Sequence, residues 1–191
     1  RREILMPDLN FQSLLDAIQR QESSVNRDDP SETTKPLPLV NPKSGARGQM
    51  QVVPGAAMKP GYAAQGARDV FDIAEEMFGQ KFERNEQTAK DLLDIPEVNR
   101  AYAETYMRAM IERFGGDIDK AVGAYNAGPV RMLNADGKYY NLPPETQNYI
   151  GNVRQYYNQA TGDNYGITVS PTPRMRPGSV RPKARPGGLL S

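Results

Sequence analysis

Residues Phe11–Ser23 read Phe-Gln-Ser-Leu-Leu-Asp-Ala-Ile-Gln-Arg-Gln-Glu-Ser. The apolar positions Phe11, Leu14, Leu15 and Ile18 recur at steps of three and four, the spacing of one buried face of an amphipathic helix. One more step of four along that face arrives at Glu22. A carboxylate on the apolar stripe loses the hydration its ionised form needs. Burial there raises its pKa toward neutrality and makes it a proton donor, which a helix-end glutamate turned to solvent would not be. The spacing predicts a helix with one chemically special acid at its end.

The rest of the composition narrows what that acid can do. A chain of 191 residues is long enough for one domain with a core and short for two. Hydrophobic residues make up 38 %, with 17 Gly and 16 Pro, which suits a compact domain carrying irregular segments. No apolar run approaches the roughly 18 residues of a membrane span. The chain opens Arg1-Arg2-Glu3, with neither an initiator Met nor a signal-like apolar region, and is expected to be processed or a piece of something longer. With no Cys, disulfide and thiolate chemistry are excluded; with no His, the commonest general base and metal ligand is missing. Catalysis falls to carboxylates, hydroxyls, amides or backbone.

Charge is balanced overall, at 24 basic against 23 acidic residues, but unevenly spread. Residues 166–191 hold Arg174, Arg176, Arg181, Lys183 and Arg185 and no acid, so the remainder is net acidic. The same stretch carries Pro171, Pro173, Pro177, Pro182 and Pro186. Such a composition cannot bury enough apolar area to order itself. Two units are expected: a domain over 1–165, and a basic, Pro-rich tail over 166–191 that serves as linker or docking arm. Contact of that arm with nucleic acid is a weaker alternative.

After Glu22 the chain leaves the helix at Asn26-Arg27-Asp28-Asp29-Pro30 and runs through a polar, Pro-interrupted loop over 31–42. Gly45-Ala46-Arg47-Gly48-Gln49-Met50-Gln51 must return toward the first helix, with glycines suited to close backbone approach. Residues 67–78 carry a helical stripe of Ala67, Val70, Phe71, Ala74, Met77 and Phe78, stopped by Gly79. Residues 80–94 are charged and read as partly helical. Pro96 and Glu97 open a helix in which Arg100, Glu104, Arg108 and Glu112 form one stripe of alternating sign. The remaining circumference is apolar or aromatic, which marks this as the central core helix. Asp117 caps a helix reaching Ala124, and Pro143-Pro144-Glu145 opens a last one with the stripe Thr146, Tyr149, Ile150, Val153, Tyr157 and Ala160. No strand pattern occurs, so the fold class is mainly α.

Four separated pieces stand in order: Glu22-Ser23, Gly48-Gln49-Met50-Gln51, Ala124-Tyr125-Asn126-Ala127-Gly128 and Glu145-Thr146-Gln147-Asn148-Tyr149. Together they resemble the signature of the soluble lytic transglycosylase family, over roughly residues 11–157. The Phe114-Gly115-Gly116-Asp117 step is similar as well. The resemblance implies a lysozyme-like helical domain acting on peptidoglycan glycan strands, with no metal and no cofactor. It implies cleavage of the β-1,4 bond between N-acetylmuramic acid and N-acetylglucosamine, leaving a 1,6-anhydro ring instead of adding water. Carried over residue by residue, Glu22 would be the single catalytic acid and then base, and Ser23 would orient it. Met50 and Gln51 would line the saccharide cleft. Tyr125 would stand near Glu22, Asn126 would hold the motif and bind sugar, and Glu145 and Tyr149 would buttress the site by hydrogen bonds. Two features depart from the family pattern: polar Gln49 stands where an apolar residue is usual, and 31–40 looks like an insertion.

The chemistry of the residues agrees. Glycoside cleavage normally uses two carboxylates flanking the bond. The second could come here only from Asp28, Asp29 or Glu32, in or beside a turn, or from Glu145 far along the chain. A one-carboxylate route needs an internal nucleophile, which the muramic 6-hydroxyl supplies. Two alternatives remain open: a hydrolytic lysozyme on the same fold, and a catalytically weak wall-binding or structural module of a phage ejection or secretion complex. Either setting places action at the bacterial cell wall or periplasm, with delivery by a virion or secretion apparatus and attachment to other domains or subunits through the tail.

Overall fold

The computed structural model describes residues 9–23, 40–61, 64–135 and 141–162. Asp28, Asp29, Glu32, nearly all of the expected 31–42 loop and the 166–191 tail lie outside the described residues, so the linker, docking-arm and insertion expectations fall there too. Among the described residues there are eight helices: α1 Phe11–Ser23, α2 Pro54–Met58, α3 Val70–Phe78, α4 Glu86–Leu93, α5 Pro96–Arg113, α6 Ile118–Ala127, α7 Pro129–Asn134 and α8 Pro144–Thr161. The only β features among them are isolated bridges joining Arg47 to Val40 and to Val52. The mainly α, lysozyme-like helical class expected from the sequence is what the chain adopts.

Local chemistry sets the helix ends. Asp69, Asn85 and Asp117 each accept a hydrogen bond from the backbone N–H three residues on, satisfying a donor the first turn leaves open. Pro54, Pro96, Pro129 and Pro144 each occupy a first helical position, where the missing N–H costs nothing. Gly79 and Gly162 close α3 and α8 in the left-handed conformation.

Packing follows the stripes. In α1, Leu14, Leu15, Ala17 and Ile18 are buried, and the helix lies against α8. The Tyr157 hydroxyl accepts a hydrogen bond from the Asn10 N–H at 3.0 Å, and the Arg20 guanidinium lies 4.2 Å from the centroid of the Tyr156 ring. Helix α8 packs on α6, which packs on α5 and α7, while α5 also carries α3 and α4. The central helix is therefore α5, with Val98, Tyr102, Ala103, Met107, Ala109, Met110 and Ile111 in the core.

Several expectations need correction. Helix α6 runs to Ala127, three residues past the expected end, so Tyr125 and Asn126 occupy its last turn and not a following loop. Residues 129–134, to which the sequence assigned no helix, form α7. The partly helical reading of 80–94 stands: 86–93 form α4 and bury Ala89, Leu92 and Leu93. Ala67 precedes α3, and Met77 and Phe78 at its end are 44 % and 46 % exposed, because the helix rolls off the core in its last turn. Ala160 is exposed on α8. The charge stripe of α5 is only partly internal: Arg108 pairs with Glu104, but Arg100 crosses to α1 and binds Asp16 at 2.6 Å.

Candidate active site

Glu22 lies in the last turn of α1, the second-to-last residue of the helix. It is partly open to a cleft and otherwise enclosed by protein. Burial pushes its carboxyl from the ordinary 4.5 up to about 7, against the opposing effect of a hydrogen bond from Tyr149. The negative end of the α1 dipole acts in the same direction as burial. The Tyr149 hydroxyl donates to Glu22 Oε1 at 2.6 Å across 127 positions of sequence. That bond sets the orientation of the acid, and it exists because the buried stripe of α8 places Tyr149 in the first turns facing the end of α1.

A second tyrosine closes the floor. Tyr125 donates to the Met50 backbone carbonyl at 2.8 Å, and its ring meets Tyr106 edge-on at 5.8 Å. Its phenol is held well above the usual range by burial, then by the negative charge of Glu22, with Tyr102 and Tyr106 adding to it. It stays a neutral hydrogen-bond donor. The loop it anchors is a four-residue turn, Gly48-Gln49-Met50-Gln51, closed by reciprocal backbone hydrogen bonds between Arg47 and Val52 at 2.8 and 2.9 Å. Asn99 of α5 threads this turn. Its Oδ1 accepts from the Met50 N–H and its Nδ2 donates to the Arg47 carbonyl, both at 2.9 Å. The Arg47 guanidinium in turn grips Asp94 with two hydrogen bonds, at 3.0 and 2.6 Å.

The cleft beside Glu22 has a volume of about 560 Å³. Gln21 and Glu22 of α1 form one side, Glu145, Asn148, Tyr149 and Asn152 of α8 the other, and Asn126 of α6 lies between them. The Thr146 hydroxyl donates to Asn126 Oδ1 at 2.9 Å, which fixes that carboxamide. These groups are neutral donors and acceptors with two carboxylates and no cation, a lining suited to uncharged polar groups such as sugar hydroxyls and amides. Among the described residues no group of three or more His, Cys, Asp or Glu could hold a metal ion.

The sequence-selected residues are thus distributed as follows. Glu22, Asn126, Glu145 and Tyr149 line one cleft, and Tyr125 sits behind it. Met50 and Gln51 do not line this cleft. The Met50 side chain is 0 % exposed in the core and serves the site through its carbonyl, while the Gln51 amide turns back to donate to the Gly48 carbonyl at 2.9 Å. The reason is the tightness of the turn, which points the Met50 side chain inward and holds Gln51 at a positive φ of 48°. Ser23 ends α1 outside the cleft lining; the hydrogen bond that orients Glu22 comes from Tyr149. Asn99 and Thr146, the two buried polar side chains among the described residues, were not singled out for the roles they play. Asn99 had a signal: it is a carboxamide on the otherwise apolar circumference of α5.

The family model for the transglycosylase SLT domain matches residues 9–148, which span every one of these groups except Tyr149 and Asn152. The chain belongs to the transglycosylase SLT domain family. Among curated relatives, the SLT domain is 29 % identical over 163 residues to the soluble lytic murein transglycosylase of Escherichia coli, matched in strains K12 and O157:H7. That match covers 76 % of this chain and 20 % of the relative. Among solved structures it is similar to an inactive mutant of the lytic transglycosylase Slt from Pseudomonas aeruginosa, in which one glutamate is replaced by glutamine. The TM-score is 0.50 at 26 % identity, over 78 % of this chain and 22 % of that one. The SLT domain therefore spans about a fifth of the length of these relatives. No helix among its described residues is long and apolar enough to cross a membrane.

Proposed function

We propose that this domain is a peptidoglycan lytic transglycosylase, cleaving the β-1,4 bond between N-acetylmuramic acid and N-acetylglucosamine with Glu22 as the only catalytic carboxylate. The observation that carries the proposal is the acid itself, tuned to about 7 and aimed by Tyr149 into a cleft whose other described polar groups, apart from Glu145, are uncharged. Family membership and the named activities of the relatives support it, as does the inactive relative with a single glutamate changed to glutamine.

Protonated Glu22 gives its proton to the glycosidic oxygen. The C1–O bond breaks, the N-acetylglucosamine side departs with the electron pair, and the muramic C1 is left cationic, assisted by the carbonyl oxygen of its own 2-acetamido group. Glu22, now a carboxylate, takes the proton of the 6-hydroxyl as that oxygen bonds to C1. The ring closes, Glu22 is protonated again and no water is consumed. One group serves as acid and base in turn, for which a pKa near the working pH is the best compromise. Burial raises the catalytic glutamate of lysozyme in the same way, and Glu22 shares that pattern. The internal hydroxyl competes well, because oriented intramolecular groups reach effective molarities of about 10⁵ M or more.

One observation favours a second reading. Glu145 shares the cleft with Glu22, so a two-carboxylate hydrolase has a candidate partner in the acid that the sequence offered from far along the chain. Glu145 is exposed, unlike a group enclosed to activate a water. An inert wall-binding module has no use for an acid poised at neutrality. The deciding experiment is mass analysis of fragments released from purified peptidoglycan by the wild type and by Glu145→Gln. Anhydro ends that persist in the variant support the lyase, whereas ordinary reducing ends that vanish with it support the hydrolase.

A further inference from the structure

The cleft holds side chains that the chemistry of Glu22 does not use. Helix α8 shows two faces: Thr146, Tyr149, Ile150, Val153 and Tyr157 are buried, while Glu145, Asn148 and Asn152 follow one another at steps of three and four along the open side. Asn148 and Asn152 therefore stand one turn apart on the same edge of the cleft, beyond Tyr149 from the core, with Gln21 lining the opposite side beside Glu22. Tyr149 and Asn126 already have partners in Glu22 and Thr146. Asn148 and Asn152 are not tied to the acid by any such bond and face the space a ligand would fill.

We propose that Asn148 and Asn152, with Gln21 opposite, form a subsite for the 2-acetamido group of a sugar unit next to the scissile bond, and so determine which glycans are held against Glu22. The proposal rests on the transglycosylase reading and deepens it by assigning residues to substrate choice. The chemistry is complementary: an acetamido group offers one N–H donor and one carbonyl acceptor, and a carboxamide offers both in return. The absence of any lysine or arginine among the described lining residues, together with Glu145 on the same edge, disfavours an anionic occupant. Among the described residues the lining has no aliphatic side chain to select an apolar one. A glucan bearing a hydroxyl in place of the acetamido group would leave one amide dipole unanswered. Sites built to hydrogen-bond a substrate group discriminate strongly against analogues that lack it.

The test uses the full chain carrying Glu22→Gln, so that binding is read without turnover. Its affinities for the tetramer of N-acetylglucosamine and for cellotetraose, both uncharged, are compared by calorimetry, before and after adding Asn148→Ala and Asn152→Ala together. The acetylated tetramer is expected to bind more tightly, and the double replacement to erase most of that preference, weakening it about tenfold while cellotetraose binding barely changes, as loss of one or two hydrogen bonds implies. Asn148→Gln with Asn152→Gln, which keep the amides, should recover part of the preference, and an unchanged circular dichroism spectrum shows the fold intact. A preference that survives loss of both asparagines, or none to begin with, overturns the subsite. If wild type cleaves peptidoglycan to anhydro ends in that case, only the subsite fails; if it does not cleave, the transglycosylase reading fails with it.

Discussion

Glu22 carries opposing influences on one proton. Burial holds its carboxyl at about 7, and the Tyr149 hydroxyl pulls the other way by bonding the ionised form. Cleavage should accordingly decline as pH rises through about 7, because the acid is lost. Tyr149→Phe removes the group that favours the carboxylate, so the pKa of Glu22 rises further and the alkaline limb of the pH–rate profile should move to higher pH. A limb that moves down or stays in place would contradict that assignment. The same proton affects stability. The folded pKa of about 7 lies above the ordinary 4.5, so the native state binds more protons between these values and loses stability as pH rises from 4.5 to 7. Glu22→Gln is free of this penalty. Relative to wild type it should gain stability progressively over that window and hold a roughly constant advantage above it, about 1–3 kcal/mol once partial exposure is allowed for, measured by urea unfolding at several pH values. Glu22 was legible in the sequence because its position continued an apolar stripe. Its partner was legible only as a motif residue, since 127 positions separate the two and nothing local in Tyr149 names the oxygen it meets.

At the level of elements, the turn at 48–51 depends on α5 through one carboxamide. Asn99 is 1 % exposed and answers both the Met50 N–H and the Arg47 carbonyl. Asn99→Leu keeps the volume and leaves both buried groups unpaired, each costing about 1–3 kcal/mol. Gly48 is constrained from the other side: its φ is 69°, and a Cβ added there would lie 2.5 Å from the Asn99 amide. Gly48→Ala should therefore destabilise as well, through left-handed backbone and steric overlap. Because Met50 in this turn also holds Tyr125, both variants should lose cleavage in step with thermal stability, and a variant with full stability and no activity would point to another role. The helix that the sequence concealed, α7, and the one it showed only in part, α4, each have a physical reason. Helix α7 begins at Pro129 directly after Gly128, so the glycine that ends α6 masked the proline that starts the next helix. Helix α4 is short and mostly charged outside Ala89, Leu92 and Leu93, so its periodicity is thin; its clearest signal was Asn85, whose side chain caps Thr88. Met50 was misplaced because a motif gives identity and order, whereas the direction of a side chain in a tight turn is set by backbone angles.

For the whole molecule, the α1–α8 contact joins the two ends of the described fold and builds the cleft. Helix α8 ends at Thr161, capped by Gly162 in the left-handed conformation, and the expected boundary at 165 lies outside the described residues. Deleting 166–191 should leave the melting temperature and glycan cleavage nearly unchanged. Loss of either would mean that the basic stretch packs on the domain, and salt-sensitive DNA binding that disappears with the deletion would make it a nucleic-acid arm. The fold class was readable from helical stripes alone, but the cleft was not, because it exists only where three helices distant in sequence meet. The central claim is that one carboxylate works as acid and then base with an internal hydroxyl as nucleophile. Mass spectrometry of the fragments released from purified peptidoglycan tests it most directly. The predicted result is 1,6-anhydro-muramic ends, lighter by one water than hydrolysed ends, formed by wild type and reduced by about 10²-fold or more in Glu22→Gln. Ordinary reducing ends, or anhydro ends still formed at near wild-type rate by Glu22→Gln, would contradict it.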